Sequence, residues 1–334
     1  MHASERIMSQ PRRISYVIIT LLAILIAGLH LGTFLLAALF GYLALQTFCV
    51  GGRKWLSITL YVIVVICVGA GLVYFSNLAY RTFPKIAETA IPAIVSFAEK
   101  NGIELPFTDY ASLKSAALDE AQQGVAVVGK YATAASFQFV LVVAGVVVAL
   151  SMFLGSGWTT DLNGSDPPDN LYFSVTRELT ARFKSFYDSF AKVIGAQILI
   201  SAINTALTTA FLLLNHYPNS GLLATFVFLC GLIPIVGNII SNSIIVGVGF
   251  TITARTGVYA LIFLVVIHKL EYFLNSRIIG SRIKCPMWLT LIGLIVGEKL
   301  MGIPGMVLAP VALHFIRIEA STLRSLSGSR TPEK

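Results

Sequence analysis

The chain has 334 residues, 56% of them hydrophobic and only 12% charged, against about 45–50% and about 25% in an average soluble domain. That balance excludes a soluble globular protein, and apolar runs of ~20 residues or more imply a helical bundle that crosses the bilayer several times. The formal charge of +8 calls for no nucleic-acid partner, because Arg12, Arg13, Arg53, Lys54, Arg277, Arg282, Lys284 and the tail from Arg317 all flank membrane segments, as cytoplasmic basic residues do.

Residues 1–13 read as a cytoplasmic leader. The apolar run from Ile14 follows basic residues as a signal peptide would, but no small-residue cleavage site follows it, so it is expected to be retained. Ile14 to Val50 is apolar for 37 residues, which as one helix would be ~55 Å long, nearly twice the hydrocarbon core. The chain must fold back, and Gly28, His30 and Gly32 offer the turn. A third helix, Trp55 to Leu78, completes a first group of membrane helices over 14–78.

From Ala79 the character changes. Charges of both signs appear, and Pro84, Pro92 and Pro106 punctuate the sequence. Residues 79–131 therefore read as an extracytoplasmic insertion of amphipathic helices, packed on the membrane surface or on a second copy of the chain in a homo-oligomer. Residues 132–154 return through the membrane. Residues 155–193 comprise a turn-rich cytoplasmic loop, in which Asp166, Pro167 and Pro168 block helix, followed by an amphipathic helix with Leu179, Phe183, Phe186, Phe190 and Ile194 on one stripe.

Residues 194–316 form the C-terminal core. Gln197, Ser201, Asn204 and Thr208 are spaced to lie on one face of the span from Ile194 to Leu214. Such a stripe either hydrogen-bonds a neighbouring helix or faces a substrate. The next apolar run, Gly221 to Thr253, carries GLIPIVGNIISNS at its centre, with Pro234, Gly237, Asn238, Ser241 and Asn242. Pro234 removes a backbone donor and Gly237 relaxes the chain, so two short half-helices with freed backbone groups are expected; these groups must face protein or water, never lipid. Interrupted helices of this kind build the midplane sites of transporters, and a simple proline kink is the alternative.

Basic-residue placement favours a re-entrant reading of Gly221 to Thr253, since only then do Arg277, Arg282 and Lys284 fall on the cytoplasmic side. The last run repeats the theme. Glu298 and Lys299 interrupt it, and Gly302, Pro304, Gly305 and Pro310 follow, which gives a second hairpin opening to the cytoplasm and a cytoplasmic tail over 317–334. Intramembrane charge points to function and to a named partner. Glu271 is expected either to pair with Lys299 or to titrate as a coupling site for H+ or Na+, and Glu298 is the second acidic candidate. His268 beside Glu271 lacks the further ligands a metal needs. The four cysteines, Cys49, Cys67, Cys230 and Cys285, have no CxxC spacing, and no HExxH, nucleophile elbow, Walker loop or dinucleotide fingerprint occurs in a fitting context. No enzyme chemistry, metal or cofactor is expected.

The order of QILISAINTALTTAFLLL, GLIPIVGNIIS and GLIVGEKLMGIPGMVLAPVAL resembles the autoinducer-2 exporter family, also called AI-2E or PerM. The resemblance extends over nearly the whole chain, including the insertion after the third helix. Pro234 and Gly237 match the family's P-x-x-G break, and Gly297, Gly302, Gly305 and Pro310 match its C-terminal glycine pattern. Asn238 replaces a common second proline, Ser241 and Asn242 make the following turn polar, and Ser276 stands near where a proline often precedes the basic residue. The resemblance implies an all-α polytopic protein of about six to eight membrane helices, including two broken or re-entrant hairpins, in a bacterial-type inner membrane with both termini cytoplasmic. It implies export of a small polar solute, autoinducer-2-like or a related metabolite, with sodium/proton exchange as the alternative and a passive channel or scaffold as a third possibility.

Overall fold

The computed structural model describes residues 10–49, 52–102, 127–155, 170–233, 236–274 and 286–322. All regular structure among them is α-helical: α1 Gln10–Gly28, α2 Gly32–Thr47, α3 Lys54–Lys100, α4 Val127–Leu154, α5 Leu171–Leu214, α6 Ser220–Gly231, α7 Val236–Ile252, α8 Ala254–Leu274, α9 Met287–Met301 and α10 Ile303–Thr322. Among the described residues, five stretches are long and apolar enough to cross a membrane, namely Gln10–Gly28, Lys54–Phe83, Phe137–Leu154, Leu171–Leu214 and Ile303–Thr322, while α2, α6 and most of α7 are shorter apolar helices. Large apolar side chains such as Ile24, Ile66, Val140, Leu199 and Val265 stand exposed on the outside, as lipid-facing residues do.

The expected fold-back falls between α1 and α2. His30 carries the positive φ of the turn, at 53°, and Gly32 serves a different purpose: a Cβ there would come 3.0 Å from Pro304 Cβ. Small residues likewise bring α2 against α4. A Cβ on Gly145 would lie 2.6 Å from the Phe34 carbonyl oxygen, and one on Gly41 2.9 Å from Ala149 Cβ, so the two backbones meet closely, as membrane helices do in the absence of a hydrophobic driving force.

The third helix does not end at Leu78. It continues as α3 to Lys100, through the positions of Pro84 and Pro92. An interior proline costs a helix ~3 kcal/mol, but here the continuation gains tertiary contacts: Phe83 meets the Phe226 ring edge-on at 5.1 Å, Phe97 packs on Phe250 at 4.9 Å, and Ala90, Ile91 and Ala98 are buried. The remainder of the expected insertion, from 103 to 126, lies outside the described residues.

α5 is the long central helix of the C-terminal part. Asn170 caps it, its side chain accepting a 2.8 Å hydrogen bond from the Phe173 amide. Of the expected apolar stripe, Phe190 and Ile194 are buried and Phe186 packs against the same core, whereas Phe183 is exposed and its neighbour Arg182 is buried. Arg182 bonds Glu178 at 2.5 Å, stands 3.9 Å from Glu319 of α10, and lies 4.2 Å over the Tyr16 ring of α1. Tyr16 in turn donates a 2.8 Å hydrogen bond to Glu319. Three helices are thus joined through one buried cation. Arg182→Met strands the half-buried carboxylates of Glu178 and Glu319 and is expected to cost ~3 kcal/mol, whereas Tyr16→Phe removes one hydrogen bond and costs ~1 kcal/mol; thermal unfolding in detergent separates the two.

α10 runs antiparallel to α5, with Phe315 against Phe186 at 5.5 Å and Leu308 and Val311 in one core with Phe190, Val193 and Ile194. Gln197 and Pro304 each lie eleven residues from the Phe186–Phe315 contact, so the turn between α9 and α10 reaches about the height of Gln197. Gly302 makes that turn with φ +65°, and Gly297 and Gly305 pack backbone against backbone.

Candidate functional site

α6 and α7 form a second hairpin, directed the other way along α5. Its open end sits at the α5–α6 turn, where Tyr217 shares a core with Leu212, Leu223, Val227, Ile245 and Val248. Its inner end, where α6 stops at Gly231, reaches Gln197 and Ser201. The two hairpins therefore approach the same height of α5 from opposite ends.

The sequence break and the polar stripe meet there. Where α6 ends, the Leu232 amide turns to the Leu229 carbonyl and the Ile233 amide to that of Cys230, which leaves acceptors free. Ser201 Oγ donates to the Phe228 carbonyl at 2.8 Å, and Gln197 Nε2 donates to the Gly231 carbonyl at 2.6 Å. Side chains of α5 thus satisfy backbone groups that a continuous helix would satisfy itself. Ser201 lies so close that a Cβ on Gly231 would come 2.5 Å from its Oγ.

Beyond the break, Gly237 donates from its amide to the Ile233 carbonyl at 3.3 Å. A Cβ on Gly237 would overlap the Cys230 carbonyl oxygen, so glycine is required here by close approach. Pro234 lies outside the described residues. Asn238, 3% exposed, accepts from Asn204 Nδ2 at 3.2 Å and donates through Nδ2 to Glu271 Oε1 at 2.5 Å. A buried chain therefore runs from α5 through α7 to α8. Ser241 donates to the Asn238 carbonyl at 3.3 Å, and Asn242 is buried one residue further on.

Three buried oxygens on α5 have no hydrogen-bond partner: Asn204 Oδ1, Thr205 Oγ1 and Thr208 Oγ1. Thr205 was not anticipated because it lies beside the stripe instead of on it. Asn204 Oδ1 belongs to the Asn204–Asn238–Glu271 chain itself, and Thr205 and Thr208 follow one residue and about one helical turn further along α5; buried oxygens of this kind are acceptors open to a polar or cationic ligand.

Glu271 is 8% exposed. The expected pairing of Glu271 with Lys299 is not made. Glu271 takes Asn238 as its donor, with His268 Nδ1 4.0 Å from its second oxygen, while Lys299 Nζ sits 3.4 Å from Glu298 Oε2, both side chains exposed near the end of α9. Adjacent helix residues diverge, but these two side chains are long enough to meet outside the helix, so neither joins the buried network. Gly302 and Gly305 shape the α9–α10 hairpin without polar side chains to offer. The cluster Arg277, Arg282 and Lys284, and Ser276, lie outside the described residues.

Comparison with known proteins gives two findings. The AI-2E family transporter profile matches residues 14–324. The chain is also 32% identical over 138 residues to "Putative transport protein YdbI" of Bacillus subtilis (strain 168); the match spans 40% of this chain and 39% of that relative, so the chain covers about two fifths of its length.

Proposed function

Because the chain belongs to the AI-2E family of transporters, as the match over residues 14–324 establishes, we propose that it is a secondary transporter that exports a small polar molecule, autoinducer-2-like or a related metabolite, coupled to H+ or Na+. The observation that carries this reading is the buried Asn204–Asn238–Glu271 chain at an interrupted helix, flanked by the unpartnered oxygens of Asn204, Thr205 and Thr208. Amides and hydroxyls recognise hydroxylated or carbonyl solutes without net buried charge, and a single carboxylate nearby supplies the ion-responsive group. In this reading α6–α7 is re-entrant from the extracytoplasmic side of a bacterial-type inner membrane, α9–α10 enters from the cytoplasmic side, and both termini are cytoplasmic.

Sodium/proton exchange is the second reading, favoured by the buried carboxylate of Glu271 in the chain at the interrupted helix and by the unpartnered oxygens of Asn204, Thr205 and Thr208 on α5. Proteoliposome uptake of candidate metabolites under imposed sodium or proton gradients distinguishes the two. Solute accumulation that follows an imposed gradient is expected for the exporter, and gradient dissipation without solute for the exchanger. Gradient-independent equilibration would mean a channel and would overturn both. Asn204→Leu, which removes the donor to Asn238, is expected to cut transport about tenfold or more while leaving folded protein in the membrane, the loss of one hydrogen bond to a buried partner being worth ~1–3 kcal/mol.

A further inference from the structure

Glu271 ends the buried chain that runs from α5 through α7 to α8, and its two oxygens have different surroundings. Oε1 accepts from Asn238 Nδ2, while Asn238 Oδ1 is itself occupied by Asn204. An oxygen that accepts from an amide does so whether the carboxyl group is charged or neutral, so an exchangeable proton resides on Oε2. Oε2 faces the His268 imidazole, with Nδ1 4.0 Å away. Glu271 is 8% exposed, whereas the His268 side chain, about one turn earlier on α8, is 60% exposed. The imidazole thus stands between an enclosed carboxyl group and the outer surface of the helix.

The neighbouring elements offer no other proton carrier. Among the described residues, α7 has no titratable side chain and α5 has none beyond Lys192, and these are the helices packed against α8. Lys299 and Glu298 are engaged with each other. On α8 itself Lys269 is exposed beside His268, but an ammonium group has no lone pair with which to accept a proton. Two ionisable side chains standing outward from a membrane helix face water and not hydrocarbon. An imidazole so placed can take up and release protons near neutral pH.

We propose that His268 is the proton shuttle of Glu271, carrying protons between water at the surface of α8 and the enclosed carboxyl group. The inference rests on the reading of Glu271 as the ion-responsive group. For unloading, the proton on Oε2 passes to the neutral imidazole, which leaves a carboxylate and an imidazolium; the imidazolium then gives its proton to water. Loading is the reverse. The 4.0 Å separation lies about 1 Å beyond hydrogen-bond distance, and rotation of the exposed ring closes it on a picosecond to nanosecond timescale.

Proton flux into weakly buffered proteoliposomes under an imposed sodium or solute gradient tests the shuttle. His268→Ala is expected to fold as the wild type does, because the side chain is exposed, and to slow proton flux about tenfold or more. Imidazole at equal concentration on both sides is then expected to restore much of the flux by standing in for the missing ring. The increment is read against liposomes of the His268→Ala, Glu271→Gln double variant in the same imidazole, so that permeation and added buffering cancel. A structural role for His268 would not be rescued in this way. His268→Gln repeats the comparison should His268→Ala fail to fold. Wild-type flux in folded His268→Ala, or slowed flux that imidazole leaves unchanged, would overturn the shuttle, and with Glu271→Gln inactive either result leaves the reading of Glu271 standing. Wild-type flux in Glu271→Gln, or no proton flux in the wild type, would overturn both.

Discussion

Gly237→Ala is expected to destabilise the folded protein and to abolish its transport. The added methyl group would overlap the backbone carbonyl of Cys230, and no rotamer change can move a backbone atom aside. Relief requires α6 and α7 to separate at the point where Gln197 and Ser201 hold the carbonyls of Gly231 and Phe228. Overpacking of this kind costs ~1–3 kcal/mol even where side chains can yield. Gly195→Ala, on α5 where a Cβ meets nothing within 4 Å, is the matched control and is expected to be neutral. Unfolding temperature and yield of monodisperse protein in detergent measure the difference, and an unaltered Gly237→Ala protein would mean that the two half-helices do not approach this closely.

The second large effect concerns Glu271. Glu271→Gln keeps the size and can still accept the hydrogen bond from Asn238, so the fold is expected to survive and the protein to accumulate at normal abundance. What is lost is the one titratable group of the buried chain. Glu271→Leu removes the acceptor as well, leaving the Asn238 amide buried without its partner, and is expected to cost a further ~1–3 kcal/mol of stability. The pair of variants thus separates an ion-coupling role, which the Gln variant already abolishes, from a purely structural one, which only the Leu variant disturbs.

Much of this site was legible because its signals are local. A proline and a glycine three residues apart in an apolar run cannot continue a helix without freeing backbone groups, and a stripe from Gln197 to Thr208 in an otherwise apolar span has to meet polar partners. Nothing local joined them, yet the partners turned out to be those carbonyls and Asn238. The fold-back after Gly28 was forced by length alone. The continuation of α3 to Lys100 was hidden because prolines at 84 and 92 argue for breaks, whereas the contacts that outweigh them come from Phe226 and Phe250, well over a hundred residues away in sequence. Arg182 was hidden for a similar reason: a cation on an amphipathic helix reads as solvated until Tyr16 and Glu319 are brought to it from both ends of the chain. The Glu271–Lys299 pairing failed because opposite charges close to two hairpins invite pairing, while the neutral Asn238, closer to Glu271, supplies its hydrogen bond without importing a second charge.

The central claim is that the Asn204–Asn238–Glu271 chain couples an ion to transport, and it is tested most directly by proton flux. Protein is reconstituted into liposomes loaded with a pH-sensitive dye, a sodium or solute gradient is imposed, and wild type is compared with Glu271→Gln at matched protein content. The wild type is expected to move protons in response to the gradient and Glu271→Gln to give only the leak of empty liposomes. Wild-type proton flux in folded Glu271→Gln protein would contradict the account.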